Sequence, residues 1–340
     1  TEASATLTWD GSVVAAGDRA GTSAGRTLVD LGIEADLERA FGWRGGRAFV
    51  GVLGFRGADG AALADEHQSH SNIDAGAFET AIAWIEQSVA RDRFRVRLGR
   101  MDANEEFGAT ESADLFLNAS AGISPALCGL PTYPSPGDGV VLAAHLGAGF
   151  EASGGHFRPL GPGASEADGE VSIVEVRRTW RSRRSGVRGR VAGGLWHHAF
   201  PPLAIDGKRA SDARGGYLVV ERDWSEVATA MPAGRAFVQI GLAPEVASET
   251  PRHFAAGTVF DGLFRGRAGD ATGLYVTHAE IRDEAGGVPS LRETVVELFH
   301  RFQITGWLAI QPDLQWIPRP AGDPAAGDRW LASVRVELSF

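Results

Sequence analysis

The last twelve residues read Arg329-Trp-Leu-Ala-Ser-Val-Arg-Val-Glu-Leu-Ser-Phe340, and they decide the fold. From Trp330 onward every second residue is apolar, and four of the five residues between them are polar or charged. Because successive side chains of a strand point to opposite faces, this stretch has one apolar and one polar face. An apolar face that ends in a terminal aromatic residue is typical of the closing strand of an outer-membrane β-barrel, although a soluble sandwich strand shows the same alternation.

The preceding stretch, 307–317, alternates in the same way. One face carries Leu308, Ile310, Pro312, Leu314 and Trp316, and the other carries Trp307, Ala309, Gln311, Asp313 and Gln315. Two neighbouring strands of this kind predict a hairpin whose faces differ sharply in polarity.

Composition narrows the class of protein. The chain has 340 residues, 44% of them hydrophobic, with a net charge of −10 that argues against a nucleic-acid partner. A single cysteine allows no intrachain disulfide. The longest apolar runs, such as 140–146, fall far short of the ~20 residues of a spanning helix. Because the chain begins at Thr1, we expect a mature form whose export signal has been removed.

Alternation and turn residues along the rest of the chain predict an all-β, transmembrane antiparallel barrel of about sixteen strands, with 1–340 as a single domain. The predicted strands are 5–13, 27–38, 47–56, 78–90, 92–100, 139–147, 150–158, 169–180, 187–199, 215–225, 234–243, 252–265, 271–282, 290–304, 306–317 and 329–340. Tryptophans 180, 224, 316 and 330 fall at strand ends, as an aromatic girdle requires.

An alternative parsing makes 113–121 a strand and merges 139–157 into one; it also gives sixteen strands. Outer-membrane barrels have short periplasmic turns and long outer loops. Only the first parsing puts every long connection, including 101–138, on the outer side. It is therefore preferred, with 101–138 as a long loop folded into the pore.

A row of arginines lies on the polar face of the fifth predicted strand, at Arg93, Arg95 and Arg97, with Arg100 at its outer end. Such charges require water or carboxylate partners. The nearest carboxylates follow directly, at Asp102, Glu105 and Glu106. We therefore predict a constriction walled by these arginines on one side and by the long loop on the other; the alternative is plain solvation of a wet barrel wall.

Other strands predict a second group of lumen residues, with lumen lining as their simplest role. They are Arg188, Arg190, Trp196, Glu293, Glu297, Arg301, Gln311, Asp313 and Gln315. Aromatic and planar polar groups of this kind are suited to stacking on and hydrogen bonding a sugar ring.

Three other motifs are weak candidates for chemistry. Gly21–Gly25 matches the nucleophile-elbow pattern around Ser23, but no helix is predicted after it. His67 and His70 lack further metal ligands of suitable spacing, and the adjacent His197 and His198 should face opposite ways. We expect no catalytic residue, no metal and no cofactor.

Several stretches resemble the carbohydrate-selective porin family (OprB-type) of Gram-negative outer membranes. They are Thr305–Pro320, Leu98–Phe107, Phe116–Asn118, Pro131–Pro134, Gly266 and Arg267 with Asp270, and the closing Phe340. The resemblance implies a sixteen-stranded barrel, passive uptake of sugars, a pore narrowed by the loop after strand five, and Phe340 as a signal read by the barrel-assembly machinery.

The expected function is therefore that of a porin for sugars and similar small polar solutes, and not that of an enzyme. It would lie in the outer membrane, in contact with lipids and lipopolysaccharide, as a monomer or a homotrimer. A porin for organic acids, attracted by the arginine row, is one alternative. A barrel whose main role is to dock a partner protein is another.

Overall fold

The computed structural model describes residues 1–58, 63, 68–127, 129–159, 169–182, 187–199, 204–205, 208–209, 212–224, 232–245, 248–282 and 291–340. Its strands are β1 (Glu2–Gly17), β2 (Ser23–Asp36), β3 (Gly46–Gly57), β4 (Gly76–Val89), β5 (Phe94–Met101), β6 (Gly137–Gly147), β7 (Phe150–Pro159), β8 (Glu170–Arg181), β9 (Arg188–Ala199), β10 (Ala204–Ile205), β11 (Lys208–Arg209), β12 (Asp212–Trp224), β13 (Gly234–Leu242), β14 (Arg252–Asp261), β15 (Ala271–Ile281), β16 (Leu291–Gln303), β17 (Leu308–Ile317) and β18 (Arg329–Ser339).

Sixteen of these strands form a closed antiparallel barrel, which confirms the predicted fold class. The barrel closes where β1 pairs with β18, in a register that sets Trp9 opposite Val336. The short strands β10 and β11 form a separate hairpin, and β9 pairs directly with β12. Closure leaves the sixteen barrel strands without an unpaired edge, as a strand protein in lipid requires.

The two faces of the barrel have the polarity that the sequence predicts. Leu314 and Val334 are exposed on the outward face, whereas their neighbours Gln315 and Ser333 are buried on the inward face. A soluble protein buries its apolar side, so this reversed pattern indicates that hydrocarbon covers the outward face.

Aromatic pairs mark both rims of the outward face. At the end of the barrel that carries the short turns, Trp307 stacks on Phe340 with ring centroids 6.2 Å apart. At the opposite end, Trp316 stacks on Trp330 with centroids 5.9 Å apart. The four tryptophans assigned to strand ends lie there, at or next to the last or first residue of β8, β12, β17 and β18. Two such bands are the girdles expected at the lipid boundaries.

In the described parts of the chain, helical structure is confined to short pieces. Helix α1 (Leu37–Phe41) follows β2, helix α2 (Ala119–Gly122) lies within the long loop, and single 3₁₀ turns span Ala103–Glu105, Glu111–Ala113 and Pro320–Gly322. Within the described ranges, no helix has the length and apolar character needed to cross a membrane.

Several predicted boundaries are wrong. Strand β1 spans Glu2–Gly17 and not 5–13, and β2 starts at Ser23 and not at 27. Strand β2 ends at Asp36 because the Asp36 side chain caps α1, accepting a hydrogen bond from the Arg39 N–H at 3.1 Å. Strand β5 begins at Phe94, not at 92, because residues 90–92 turn through the left-handed region with φ of 55°, 60° and 61°. Strand β14 ends at Asp261 and a turn follows. The alternative parsing is also wrong, since 113–121 contains no strand and a turn at residues 148–149 separates β6 from β7.

Candidate functional site

Two arginines of β5 point into the barrel beside a glutamate of β4. Residues 95 and 97 share one face because they are two apart, and Glu86 is the register partner of Arg97. Glu86 Oε2 lies 3.1 Å from Arg95 Nη1 and 2.9 Å from Arg97 Nε. The Arg97 guanidinium also lies 4.0 Å from the ring centroid of Trp84, a cation–π contact.

The long loop meets these arginines through Glu106. Its two carboxylate oxygens accept hydrogen bonds from Arg95 Nη1 and Nη2, both at 2.7 Å, and Oε1 lies 2.9 Å from Arg97 Nη1. Burial alone would raise the pKa of Glu106, but the bonds to Arg95 and the charge of Arg97 hold that pKa below its ordinary value. The loop therefore covers the arginines, instead of facing them across open water as the sequence led us to expect.

The neighbouring Glu105 is in a different environment. Its side chain is 46% exposed to the lumen and lies 3.6 Å from Arg97. Partial desolvation, with the negative charge of Asp102 as the next cause, raises the pKa of Glu105 to about 7.

The other predicted constriction residues lie elsewhere. Arg93 is in the turn before β5, with its guanidinium over the Phe94 ring. Arg100 shares the outward face with Leu98 and contacts Asp138 at 3.3 Å, because it is an odd number of residues from the inward Arg97. Asp102 accepts hydrogen bonds from the Asn104 and Tyr133 N–H groups at 2.7 and 2.8 Å, so it closes the base of the loop; burial raises its pKa.

Carboxylates of the barrel wall hold the backbone of the loop inside the lumen. Gly108 N–H donates to Glu175 at 3.1 Å, Ser112 N–H to Glu221 at 2.6 Å, and Leu117 and Asn118 N–H to Glu297 at 2.6 and 3.0 Å. These acceptors lie on β8, β12 and β16, so the loop crosses the inside of the barrel from β5 to the closing strands. Charge-assisted bonds of this kind are about twice as strong as neutral ones.

Aromatic packing fixes the middle of the same loop. Phe116 inserts among inward rings of β13, β15 and β16, with centroid separations of 5.9 Å to Phe237, 5.1 Å to Tyr275 and 5.0 Å to Phe299. Phe116 is 1% exposed. The loop is therefore anchored by a hydrophobic contact as well as by ionic ones.

A second segment, 68–74, also folds into the lumen. Arg26 donates to the Ile73 carbonyl at 2.8 Å, and Ser71 donates to Asp10, which is itself paired with Arg335 at 2.7 and 2.6 Å. This segment contacts β1 and β2 on one side of the closure and β16, β17 and β18 on the other.

The second group of predicted lumen residues all lie on the inward faces of β9, β16 and β17, and most of them bind the infolded segments. Glu293 accepts from Gln68 N–H, Gln315 donates to the His70 carbonyl, Gln311 donates to the Leu115 carbonyl, and Arg190 pairs with Glu221. Arg301 pairs with Glu337. Both Trp196 and Asp313 are buried. Arg188 lies at the short-turn end of β9. Sequence reasoning missed Asp10, Glu86, Glu175 and Glu221; each is an acidic residue on the inward side of a strand, which is the signal that could have found them.

Among the described residues, two open spaces lie beside the loop. The first, of about 400 Å³, is bordered by β1, β2, β18 and the loop, and its polar lining includes Asn72, Asn104, Asn118, Tyr133 and Arg335. The second, of about 690 Å³, lies between the loop and the wall of β8, β9, β12 and β13. Asp114 of the loop borders both.

The weak motifs show no catalytic geometry. Ser23 begins β2, so no helix follows it. His197 and His198 face opposite sides of β9, where His197 contacts Asp212 on the outward face and His198 is buried inside. His67 lies outside the described residues, and among the described ones no group of three or more His, Cys, Asp or Glu side chains could hold a metal.

A closed sixteen-stranded barrel with an apolar outward face, a polar lumen and an infolded loop defines an outer-membrane porin. The family described as "Carbohydrate-selective porin, OprB family" matches residues 20–340, and the chain belongs to this family. It is thus a porin of the Gram-negative outer membrane through which sugars diffuse passively.

Solved structures share the fold at low sequence identity. The high-pH structure of Pseudomonas putida OprB aligns with a TM-score of 0.86 and 17% identity over 100% of this chain and 94% of that chain. The low-pH structure of the same protein gives 0.62 and 17% over 99% and 92%. Salmonella typhi OmpF in complex with daunomycin gives 0.64 and 11% over 100% and 97%. No curated protein sequence matches the chain.

Proposed function

We propose that neutral sugars cross the lumen through the space bordered by the loop, β1, β2 and β18. Amide, phenol and guanidinium groups line this space, at Asn72, Asn104, Asn118, Tyr133 and Arg335. Such groups donate and accept hydrogen bonds in alternation, as the hydroxyls of a sugar require. Weak contacts of this kind slow a solute without trapping it, which suits diffusion and not catalysis.

The charges that face open water support a preference for neutral solutes over organic acids. Arg95 and Arg97 are paired with Glu86 and Glu106 under the loop. The loop residues with exposed carboxylates are Glu105, Glu111 and Asp114, and Asp30 is exposed on the inward face of β2. Of these carboxylates, Asp114 borders the passage itself, and exposed negative charge beside the path of a solute repels anions.

Liposome swelling with glucose and glucuronate tests this proposal, because the two solutes have nearly the same size and differ in charge. We expect faster swelling with glucose and a reversal potential that favours cations in a salt gradient. Faster entry of glucuronate would support the organic-acid porin instead. A chain that inserts into planar bilayers and conducts no ions would support the partner-docking barrel.

The outward surface suggests further partners. Membrane lipids would cover the apolar band between the two aromatic rims, with lipopolysaccharide at the long-loop end. We also infer that the barrel-assembly machinery recognises Phe340, whose side chain is 75% exposed at the short-turn rim.

A further inference from the structure

The larger of the two cavities lies on the other side of the loop from the proposed passage. It is bordered by the 3₁₀ turn Glu111–Ala113 and by the short-turn ends of β8, β9, β12 and β13. Its volume of about 690 Å³ is within the range of ~300–1,000 Å³ found for small-molecule sites. In a porin this places a ligand-sized space at the periplasmic half of the lumen.

The lining of this cavity alternates acids and bases. On the loop side, the carboxylates of Glu111 and Asp114 are 66% and 60% exposed. On the wall side, Arg188 and Asp223 are register partners on adjacent strands and both border the cavity. Neighbouring guanidinium and carboxylate groups offer donors and acceptors side by side with little net charge. Such a surface suits the vicinal hydroxyls of a sugar better than it suits an ion.

Deeper residues hold this lining in place. Arg190 pairs with Glu221, whose other oxygen accepts the Ser112 N–H. Arg235 bonds Asp114 at 2.8 Å and Asp261 at 3.2 Å. The groups on the loop side are therefore positioned by contacts with the wall before any ligand arrives, which lowers the entropy cost of binding.

Asp114 borders both cavities. It is therefore the polar group that a solute in the passage beside β1 and β18 shares with the cavity that contains Arg188 and Asp223. Conduction through a selective pore is faster when several weak sites follow one another than when one strong site holds the solute.

We propose that this cavity is a second binding station for a neutral sugar on the periplasmic side of the loop. The inference rests on the proposed passage of sugars, and it adds that a sugar binds twice during one crossing, with Arg188 and Asp223 as wall contacts of the second station.

Current-noise analysis of single channels in planar bilayers, with glucose added to either side, tests the second station. The wild-type protein should show two relaxation components. In a variant carrying Arg188→Gln and Asp223→Asn, the glucose affinity reported by one component should fall about tenfold. This is the expected loss for one charge-assisted hydrogen bond. The other component should stay unchanged.

A matched control is available at the same end of the lumen. Arg301 and Glu337 form an ion pair of 2.6 Å on the inward faces of β16 and β18, away from the cavity. Arg301→Gln with Glu337→Gln should leave both components intact. A single component in the wild type, or equal effects of the two double variants, would overturn the second station, whereas the absence of any glucose effect would overturn the proposed passage itself.

Discussion

At the residue scale, two consecutive glutamates of the loop have opposite roles. Glu106 is buried between Arg95 and Arg97 and holds the loop on the wall. Glu105 faces the lumen, where the partial desolvation that raises its pKa to about 7 makes its charge variable near neutrality. Two neighbouring residues thus have separate roles, since Glu106 anchors the loop and Glu105 contributes charge to the pore.

The first prediction concerns this variable charge. A raised pKa means that the Glu105 carboxyl is largely neutral below pH 7 and largely ionised above it. Raising the pH from 6 to 8 should therefore add negative charge to the lumen and increase the cation preference, with a midpoint near pH 7. Reversal potentials measure this shift. Glu105→Gln should remove the pH dependence, and a shift that persists in this variant would exclude Glu105 as its source.

The second prediction compares adjacent residues of β2. Val29 faces outward and Asp30 is exposed on the lumen side, both near the middle of the strand. Val29→Arg should cost about 2–4 kcal/mol of folding free energy at mid-membrane depth, and Asp30→Arg should cost far less. Denaturant titration of vesicle-embedded protein gives both values. Equal costs would contradict the assigned faces.

The choice of Asp30 as the lumen control depends on the tertiary structure. The alternation of the last strand suggests Ser333 as a tolerant, water-facing position. In the folded protein Ser333 is 3% exposed and shares a 2.7 Å hydrogen bond with Ser12, under the infolded segment 68–74. An arginine at Ser333 would therefore be costly, although the residue faces the lumen.

At the element scale, the long loop behaves as part of the wall. Ion pairs bind it to β5, carboxylates bind its backbone to β8, β12 and β16, and Phe116 packs among rings of β13, β15 and β16. Backbone N–H groups that leave water need such acceptors. This explains why so many acidic residues occupy inward positions of the barrel strands.

The third prediction concerns the first of these anchors. Replacing Arg95 and Arg97 with Ala removes both arginine partners of Glu106 and leaves Glu86 only the 3.5 Å contact with Arg47. Breaking a buried pair costs about 3–5 kcal/mol. We expect a lower stability, a larger and noisier conductance because the start of the loop is released, and a shift toward cations because two positive charges are lost. Single-channel recording and denaturation measure these effects.

A matched control for this variant is Arg158→Ala. Arg158 pairs with Glu170 at 3.0 Å on the outward side near the long-loop end, and both side chains are largely exposed. Its removal should change neither conductance nor stability appreciably. Unchanged conductance in the Arg95/Arg97 variant would show that these arginines do not hold the loop.

At the scale of the whole molecule, Phe340 contributes to the closure of the barrel. Its N–H donates to the Ala5 carbonyl at 2.9 Å, which extends the pairing of β18 with β1, and its ring stacks on Trp307. A single ring of this kind contributes about 1.5–3 kcal/mol when fully buried, and less when it is exposed.

The fourth prediction separates assembly from stability. Deleting Phe340 should reduce the amount of barrel in the outer membrane more than it reduces the stability of barrels folded in vitro, because the terminal aromatic is proposed to be read during insertion. Trp307→Ala is the control, since it removes the same stacking contact and leaves the terminal Phe in place. Similar surface levels for the deletion and the control would contradict an assembly role.

The sequence by itself determined the barrel, its sixteen strands and the polarity of its faces, because alternation of side chains along a strand is a local property. In the same way it placed Arg95, Arg97 and Glu297 on the lumen side. The tertiary structure alone decided that Glu106 covers the arginines, that Glu297 and Gln311 bind loop backbone, and that Asp114 borders two cavities. Those contacts join residues far apart in sequence. The path of the loop depends on ion pairs, backbone hydrogen bonds and aromatic packing that all form together across the closed lumen, and no local sequence pattern encodes such a combination.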